Sequence, residues 1–299
     1  MKKVASLRYG VIFKKAFSQP DVFTAFVKAV LGIDLEIDHV ETEKSFNPLI
    51  GKVDLRFDLF AEDVKNRIIV DIQHARYEDH YDRFFHYHCA AVLDLIDSSK
   101  CYRPEVRVFT IVVLTSGDRH KKDVLTIDCD PKDLDGNGVG EIAHKVIYLC
   151  PKYANDKTPE DYREWMNAIQ DTLDEEVDDL SYHHAAIQKI FTTIEKDSIS
   201  PKERADMIEE YNRAELARKE AMESWQEGMI KGKRQGIQEG LLQGLEQGLQ
   251  QGIQEGLQQG LEQGKIEAAK LIAKGMLEKG LDIKTILELT GLTLAEFEK

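Results

Sequence analysis

The stretch "GKVDLRFDLFAEDVKNRIIVDIQ", residues 51–73, decides how this chain is read. Val53, Leu55, Phe57 and Leu59 alternate with Asp54, Arg56 and Asp58, and Ile68, Val70 and Ile72 alternate with Asp71 and Gln73. Period two marks a strand, because successive side chains point to opposite faces of a sheet. The polar run "EDVKNR" supplies a turn between the two segments, so the stretch predicts a β-hairpin with one apolar and one polar face. With the turn centred on Val64 and Lys65, Asp58 falls directly opposite Asp71. Facing carboxylates repel one another and are a poor structural choice. They suit a hard cation, since magnesium takes one or two carboxylates together with water and phosphate oxygens. Gln73 shares the face of Asp71, and its amide suits a water or a phosphate oxygen. Asp54 lies on the same face and competes with Asp58, and Asp58 and Asp71 have a plainer reading as solvent-facing residues of a half-exposed hairpin.

Working outward, "FKKAFSQPDVFTAFVKAVLG" (13–32) spaces its apolar residues as a helical pair interrupted near Pro20. "DHYDRFFHYHCAAVLDLID" (79–97) carries a helical stripe at Tyr81, Phe84, Phe85, His88, Ala91, Val92 and Leu95. Arg83 and Tyr87 sit four apart, away from the Phe84 stripe. They are placed to contact phosphate, or Arg83 pairs with an acid such as Asp79. The run "VRVFTIVVL" (106–114) is apolar almost throughout, as for a strand covered on both faces, and "VLTID" and "KVIYLC" predict two more strands. The order helix, hairpin, helix, strand, strand describes an α/β or α+β core ending near Cys150.

On these residues the chain resembles the PD-(D/E)XK nuclease superfamily, and within it the recombination-promoting nuclease and transposase family of bacteria. "FDLFAEDVKNRIIVDIQ" is similar to the acid-bearing hairpin, "FKKAFSQPDVFTAFVKAVLG" to the opening helix and "DRFFHYHCAAVLDLI" to the Arg and Tyr helix after it. The resemblance implies a restriction-endonuclease-like core, a mixed sheet flanked by helices, followed by acidic helices and a Gly/Gln-rich helical tail. It places Asp58 as the first motif acid, Asp71 as the second and Gln73 where the superfamily has a lysine, with the Ile72 backbone carbonyl assisting the two acids at a metal ion. Asp21 is the only acid on the opening helices available as a further ligand, because Tyr9 and Gly10 stand where a leading Asp often occurs. The function implied is that of a Mg2+-dependent DNA endonuclease associated with recombination or transposition, with Mn2+ as a substitute ion. Gln73 departs from the pattern and leaves open a catalytically inactive oligomeric DNA- or protein-binding member of the same fold.

Charge narrows the choices. The net charge is -14. Basic and acidic residues number 21 and 24 in residues 1–150, 10 and 19 in 151–225, and 9 and 11 beyond. A net-acidic chain does not hold nucleic acid by bulk charge and needs a local basic patch or bridging metal ions. Neither a membrane span nor a secretion signal is predicted, so the expected location is cytoplasmic. Cys89, Cys101, Cys129 and Cys150 lack CxxC spacing and fit free thiols. In "HxH", His86 and His88 point apart on a helix, which argues against zinc. "DLDGNGVGE" (133–141) lacks the ligand ladder of a calcium loop and reads as a turn-rich connection.

The domains expected are therefore 1–150, a nuclease-like core; 151–225, an acidic helical extension; 226–266, a Gly-repeat tail; and 267–299, a small helical or helix-turn-helix-like cap. Between Gly228 and Gly264, ten glycines recur every fourth residue. Four residues turn a helix through about 400°, so the glycine row drifts about 40° per repeat. Each glycine costs up to about 1 kcal/mol of helix propensity relative to alanine. Association through the adjacent row Ile237, Leu241, Leu245, Leu249, Ile253, Leu257 and Leu261 offsets that cost and predicts a homo-oligomer. A flexible tether and slippage of a repeat in the gene are the alternatives.

Overall fold

In the computed structural model, which describes residues 1–46, 55–74, 80–95 and 105–298, the chain divides into two compact units, Met1–Ala217 and Arg218–Lys299. Asp54, Asp79 and Cys101 lie outside the described residues.

The first unit begins with a short strand β1, Lys2–Lys3, and the expected helical pair, α1 (Gly10–Phe17) and α2 (Pro20–Leu31). Pro20 stands in the first turn of α2, where its missing N–H leaves no bond unmade. Gly32 ends the helix at φ 66°, a conformation glycine enters without a Cβ clash, and donates its N–H to the Lys28 carbonyl. Then come β2 (Glu41–Phe46), β3 (Leu55–Glu62), β4 (Asn66–Gln73), α3 (His80–Leu93), β5 (Arg107–Leu114), β6 (Val124–Asp128) and β7 (Lys145–Leu149). They form a six-stranded mixed sheet in the order β2-β3-β4-β5-β7-β6. Strands β4, β5 and β7 run parallel; β2, β3 and β6 join antiparallel. The hairpin register agrees with the turn, with Leu59 opposite Val70 and Glu62 opposite Arg67.

Both faces of the sheet are covered. Leu59, Ala61, Ile68, Val70, Ile111, Val113, Ile147 and Leu149 pack under α1, α2, α4 (Glu160–Asp171) and α5 (Ala185–Thr193). Phe57, Ile69, Val108, Val112, Val146 and Tyr148 face the other way, onto Phe84 and Ala91 of α3. The hairpin therefore has no polar face, contrary to the sequence expectation. Its second strand lies beside the parallel β5, and parallel strands are covered by helices on both sides. All of β4 except Ile72 is buried, including the polar Asn66, Arg67, Asp71 and Gln73. Arg67 is matched there by Glu62, by Asp94 at 2.8 Å and by the Ala91 carbonyl at 2.9 Å.

The core also does not stop near Cys150. Trp165, Met166 and Ile169 of α4 and Ile187, Ile190 and Phe191 of α5 share one cluster with Phe13, Phe17 and Phe26. The Trp165 ring lies 5.2 Å from Phe26 and 6.1 Å from Phe17. A strand β8, Glu176–Val177, pairs with β1 and ties this region to the N-terminus. Residues that read as an acidic extension thus complete the hydrophobic centre, with their charges on the outer face. Truncating Trp165 to Ala would leave a cavity costing about 3–5 kcal/mol.

Helix α6, Pro201–Glu278, starts in the first unit and continues through the glycine repeat. Around the glycines from Gly228 to Gly264, the space where a Cβ would stand is open, and the row from Ile237 to Leu261 is exposed. In the second unit the last turns of α6 pack with α7 (Ile283–Thr290) and α8 (Leu294–Phe297) around Ala273, Ile286 and Leu292. Gly280 and Gly291 make the turns at φ 83° and 69°.

Candidate active site

The acids Asp58 and Asp71 sit where the pleat of β3 breaks. Residues two apart on a regular strand share a face, yet Phe57 packs toward α3 and Leu59 toward α1. The β2–β3 ladder skips Asp58 and its opposite, Glu43, whose φ of 56° is a strained conformation for a non-glycine residue. The β3–β4 ladder ends at Leu59–Val70. Beyond that pair the side chains replace the backbone bonds. Asp71 Oδ1 accepts the Asp58 N–H at 3.1 Å, and Asp58 Oδ2 accepts the Ile72 N–H at 3.1 Å. Both carboxylates therefore lie between parting strands rather than on one polar face.

Their electrostatics derive from that position. Asp71 is 5 % exposed, and its Oδ2 has no hydrogen-bond partner among the described residues. Burial, followed by the charge of Asp58, pushes the Asp71 carboxyl well above the usual carboxylate range. Burial raises Asp58 as well, against the Ile72 N–H and the Lys14 charge, which lower it. Lys14 of α1 brings its Nζ to 3.9 Å from Asp58 Oδ1 and 2.6 Å from Glu43 Oε1. A deeply buried carboxylate oxygen lacking a donor, beside a second acid, is a donor set suited to a divalent cation. Among the described residues no three His, Cys, Asp or Glu side chains stand close enough together to hold an ion as they are.

Gln73 is buried on the α3 side, where its Oε1 accepts from Arg83 Nη2 at 2.5 Å. Arg83 and Tyr87 turn toward the sheet, correcting the outward orientation expected from helical spacing. The guanidinium lies 4.7 Å over the Phe84 ring, and Tyr87 packs edge-on against Phe57 at 5.6 Å and Phe84 at 5.9 Å. Phe85, expected in the buried stripe, is exposed, and His80 is buried in its stead. Asp21 is not brought to the acids. It pairs with Lys189 of α5 at 2.7 Å, which lowers its pKa.

One residue that sequence reasoning missed lies near Asp58. Glu210 of α6 accepts the Gly10 N–H through both carboxylate oxygens, at 3.2 and 3.0 Å. A Cβ placed on Gly10 would lie 3.8 Å from Glu210 Oε2 and 4.0 Å from Asp58 Oδ1. Burial raises the pKa of Glu210, and the charge of Asp58 adds to it. The 200 residues between Gly10 and Glu210 leave no local sequence signal for this approach.

Away from the acids, the remaining polar motifs have structural partners. His88 is buried with its Nδ1 2.9 Å from Thr110 Oγ1, and burial pushes it down to about 4, while His86 is exposed. Asp130 accepts the N–H groups of Gly140, Glu141 and Ile142, and Asp133 accepts those of Asp135 and Asn137, so the 133–141 loop uses its carboxylates for turns. Among the described residues no helix is long and apolar enough to cross a membrane.

No curated protein and no solved structure matches the chain. Residues 267–299, which contain the end of α6 together with α7 and α8, match the C-terminal HTH domain of the Rpn/YhgA-like nuclease family.

Proposed function

We propose that the protein is a divalent-cation-dependent DNA endonuclease that hydrolyses phosphodiesters and serves recombination or transposition. The observation that carries this reading is the Oδ2 of buried Asp71, without a partner among the described residues, beside the carboxylate of Asp58. The nuclease-family match at residues 267–299 supports it independently. Asp58, Asp71 and the Ile72 carbonyl would hold Mg2+, or Mn2+ in its place. Such an ion, when bound, acidifies water and neutralises charge developing on a phosphate. Lys14 contributes positive charge beside Asp58. Gln73 orients the attacking water by its amide, with Arg83 fixing the plane of that amide through Oε1. Tyr87 and Arg83 are the candidate contacts to DNA phosphate, with Tyr87 braced by its aromatic neighbours.

An acidic chain needs such local sites to approach DNA, and the helix-turn-helix segment is a second candidate contact. The exposed apolar row of α6, accompanied by glycines that permit close backbone approach, supports self-association with a second copy. The rival reading, a catalytically silent oligomeric DNA- or protein-binding protein, draws on Gln73, which carries no charge with which to activate water. Nicking of supercoiled plasmid separates the two. The proposal expects cleavage in Mg2+ or Mn2+, none in chelator and none by Asp58→Ala or Asp71→Ala. Equal cleavage by these variants, or none by the native chain, contradicts it.

A further inference from the structure

We infer that a cavity beside the hairpin binds one nucleobase carrying an amino group, and that in the enzyme proposed above it holds an unstacked base of the DNA. The second half rests on the nuclease reading. Among the described residues, a hollow of about 320 Å3 opens where the edge strand β2 and the segment before it pass β3 and the start of β4. Its volume is at the low end for small-molecule sites and suits a single nucleoside. Phe46, Phe60 and Ala61 give it an apolar lining and are almost wholly buried. The two rings meet edge to face, 5.6 Å apart. Aromatic faces of this kind take a base by stacking. Lys44, whose ammonium stands 5.0 Å over the Phe60 ring on a side chain one-third exposed, is the group that moves aside.

The charged groups select the ligand. Arg67 lines the cavity, is 7 % exposed and lies 5.3 and 5.6 Å from the Phe46 and Phe60 rings. Its Nε donates to Glu62, and its Nη1 donates to Asp94 at 2.8 Å and to the Ala91 carbonyl at 2.9 Å. Its Nη2 makes no hydrogen bond among the described residues, which leaves a donor on a buried cation for an acceptor of the ligand. The same guanidinium repels a cationic ligand. An anionic one meets Glu36, Asp38, Glu41, Glu62 and Asp94 against Lys44 and Arg67. Lys44 holds Glu41 at 2.9 Å and Arg67 holds Glu62 and Asp94, whereas Glu36 and Asp38 have no ion pair among the described residues.

A neutral flat ring satisfies both limits, with an acceptor for Arg67 and an amino group for Glu36 or Asp38. Cytosine, adenine and guanine carry both groups, and thymine lacks the amino group. The carboxylates keep phosphate out, so the base enters while its backbone stays in solvent. Along β4, Arg67 stands four residues before Asp71, about 13 Å away. A strand with one base in the cavity thus passes the acids within a few nucleotides. Unstacking costs least in single-stranded DNA, which is the form the cavity should prefer.

Saturation-transfer NMR of the full-length chain with deoxycytidine, deoxyadenosine and thymidine, followed by titration, tests the cavity. The two amino-bearing nucleosides should bind, and thymidine at least about tenfold more weakly, because its carbonyl leaves a carboxylate without a donor. Glu36→Ala with Asp38→Ala, at two exposed positions, should keep the melting temperature and weaken deoxycytidine at least about tenfold. Phe60→Leu should weaken it as well, and Lys44→Ala should keep or strengthen it. Equal binding of thymidine, native affinity in the double variant, or no saturation transfer from any nucleoside would overturn the inference. A single-stranded oligonucleotide should bind the native chain more tightly than the same strand carrying abasic sites, and the double variant should lose that difference. Nucleoside binding without it would overturn the DNA half and assign the cavity to free nucleosides. Nicking lost in Asp71→Ala, with no nucleoside bound, would overturn the cavity alone, and nucleoside binding by a chain that nicks nothing would overturn the nuclease reading alone.

Discussion

Replacing Asp71 by Asn should make the metal-free protein more stable while ending its function. Asp71 Oδ1 accepts the Asp58 N–H, and an Asn oxygen preserves that bond. The substitution removes a charge that burial and Asp58 both oppose, together with an oxygen that no donor satisfies. An unsatisfied buried polar group costs about 1–3 kcal/mol, and more when charged. Part of this returns as desolvation of the new amide N–H, which has the Asp58 carboxylate nearby, so a net gain of about 1–2 kcal/mol is expected. For a unit the size of Met1–Ala217 that corresponds to about 2–4 °C per kcal/mol. The pH dependence has a definite sign. The folded state raises the Asp71 pKa above its ordinary value of 3.8. The wild type therefore loses stability relative to the variant as pH rises above 3.8, and the gap is fully present only above the raised folded pKa. Differential scanning calorimetry in chelator at about pH 7.5 and about pH 4 measures both effects. Adding Mn2+ should then raise the melting temperature of wild type, by about 2.7 kcal/mol of stability at a roughly hundredfold excess over Kd, and leave the Asn variant unmoved. A folded Asn variant that melts below wild type in chelator would refute this reasoning, since the carboxylate would then be satisfied by the protein itself.

The same geometry carries three more expectations. Gln73→Lys should lower stability and cleavage, because the new ammonium would face the Arg83 guanidinium now 2.5 Å from Gln73 Oε1; adding Arg83→Gln should restore folding, and a fully active single variant would remove Arg83 from the proposed site. His88 is held neutral by burial, with its pKa depressed to about 4 from 6.5. The unfolded chain therefore takes up this proton first as pH falls, and urea denaturation should show stability lost between about pH 6.5 and 4, by up to about 3 kcal/mol. His88→Gln should flatten that slope, and an unchanged slope would assign it to other groups. Deleting residues 228–264 should lower the oligomeric state measured by light scattering and leave the first unit folded; an unchanged mass in both proteins would make the repeat a tether.

Much of the fold was legible because its signals are local. The period-two alternation around residues 53–73, the helical stripe of α3 and the apolar run of β5 each report burial over a few residues, and the hairpin register came from the turn at Val64 and Lys65. Other features depend on distant partners and leave no such trace. The burial of Asn66 and Arg67 reflects β5 and α3, which cover a strand whose polar residues imitate a solvent face. The membership of α4 and α5 in the core was hidden by their charged outer faces, although Trp165 and Phe191 signalled it in retrospect. The orientation of Arg83 is set by Gln73 across the layer rather than by its position along α3. The approach of Glu210 to Gly10 is tertiary throughout. The pleat break at Asp58 is similarly silent in sequence, since it alters the face of a residue without altering the register on either side.

Central to the proposed chemistry is that Asp58 and Asp71 share one divalent ion. Crystals grown or soaked with Mn2+, with diffraction recorded at the manganese absorption edge, test this most directly. An anomalous peak should stand between the two carboxylates, with oxygen distances of about 2.1–2.2 Å, close to those of Mg2+. No such peak should appear in Asp71→Asn crystals. A fully loaded native crystal with no peak at these carboxylates, or with manganese bound only elsewhere, would contradict the shared-ion site.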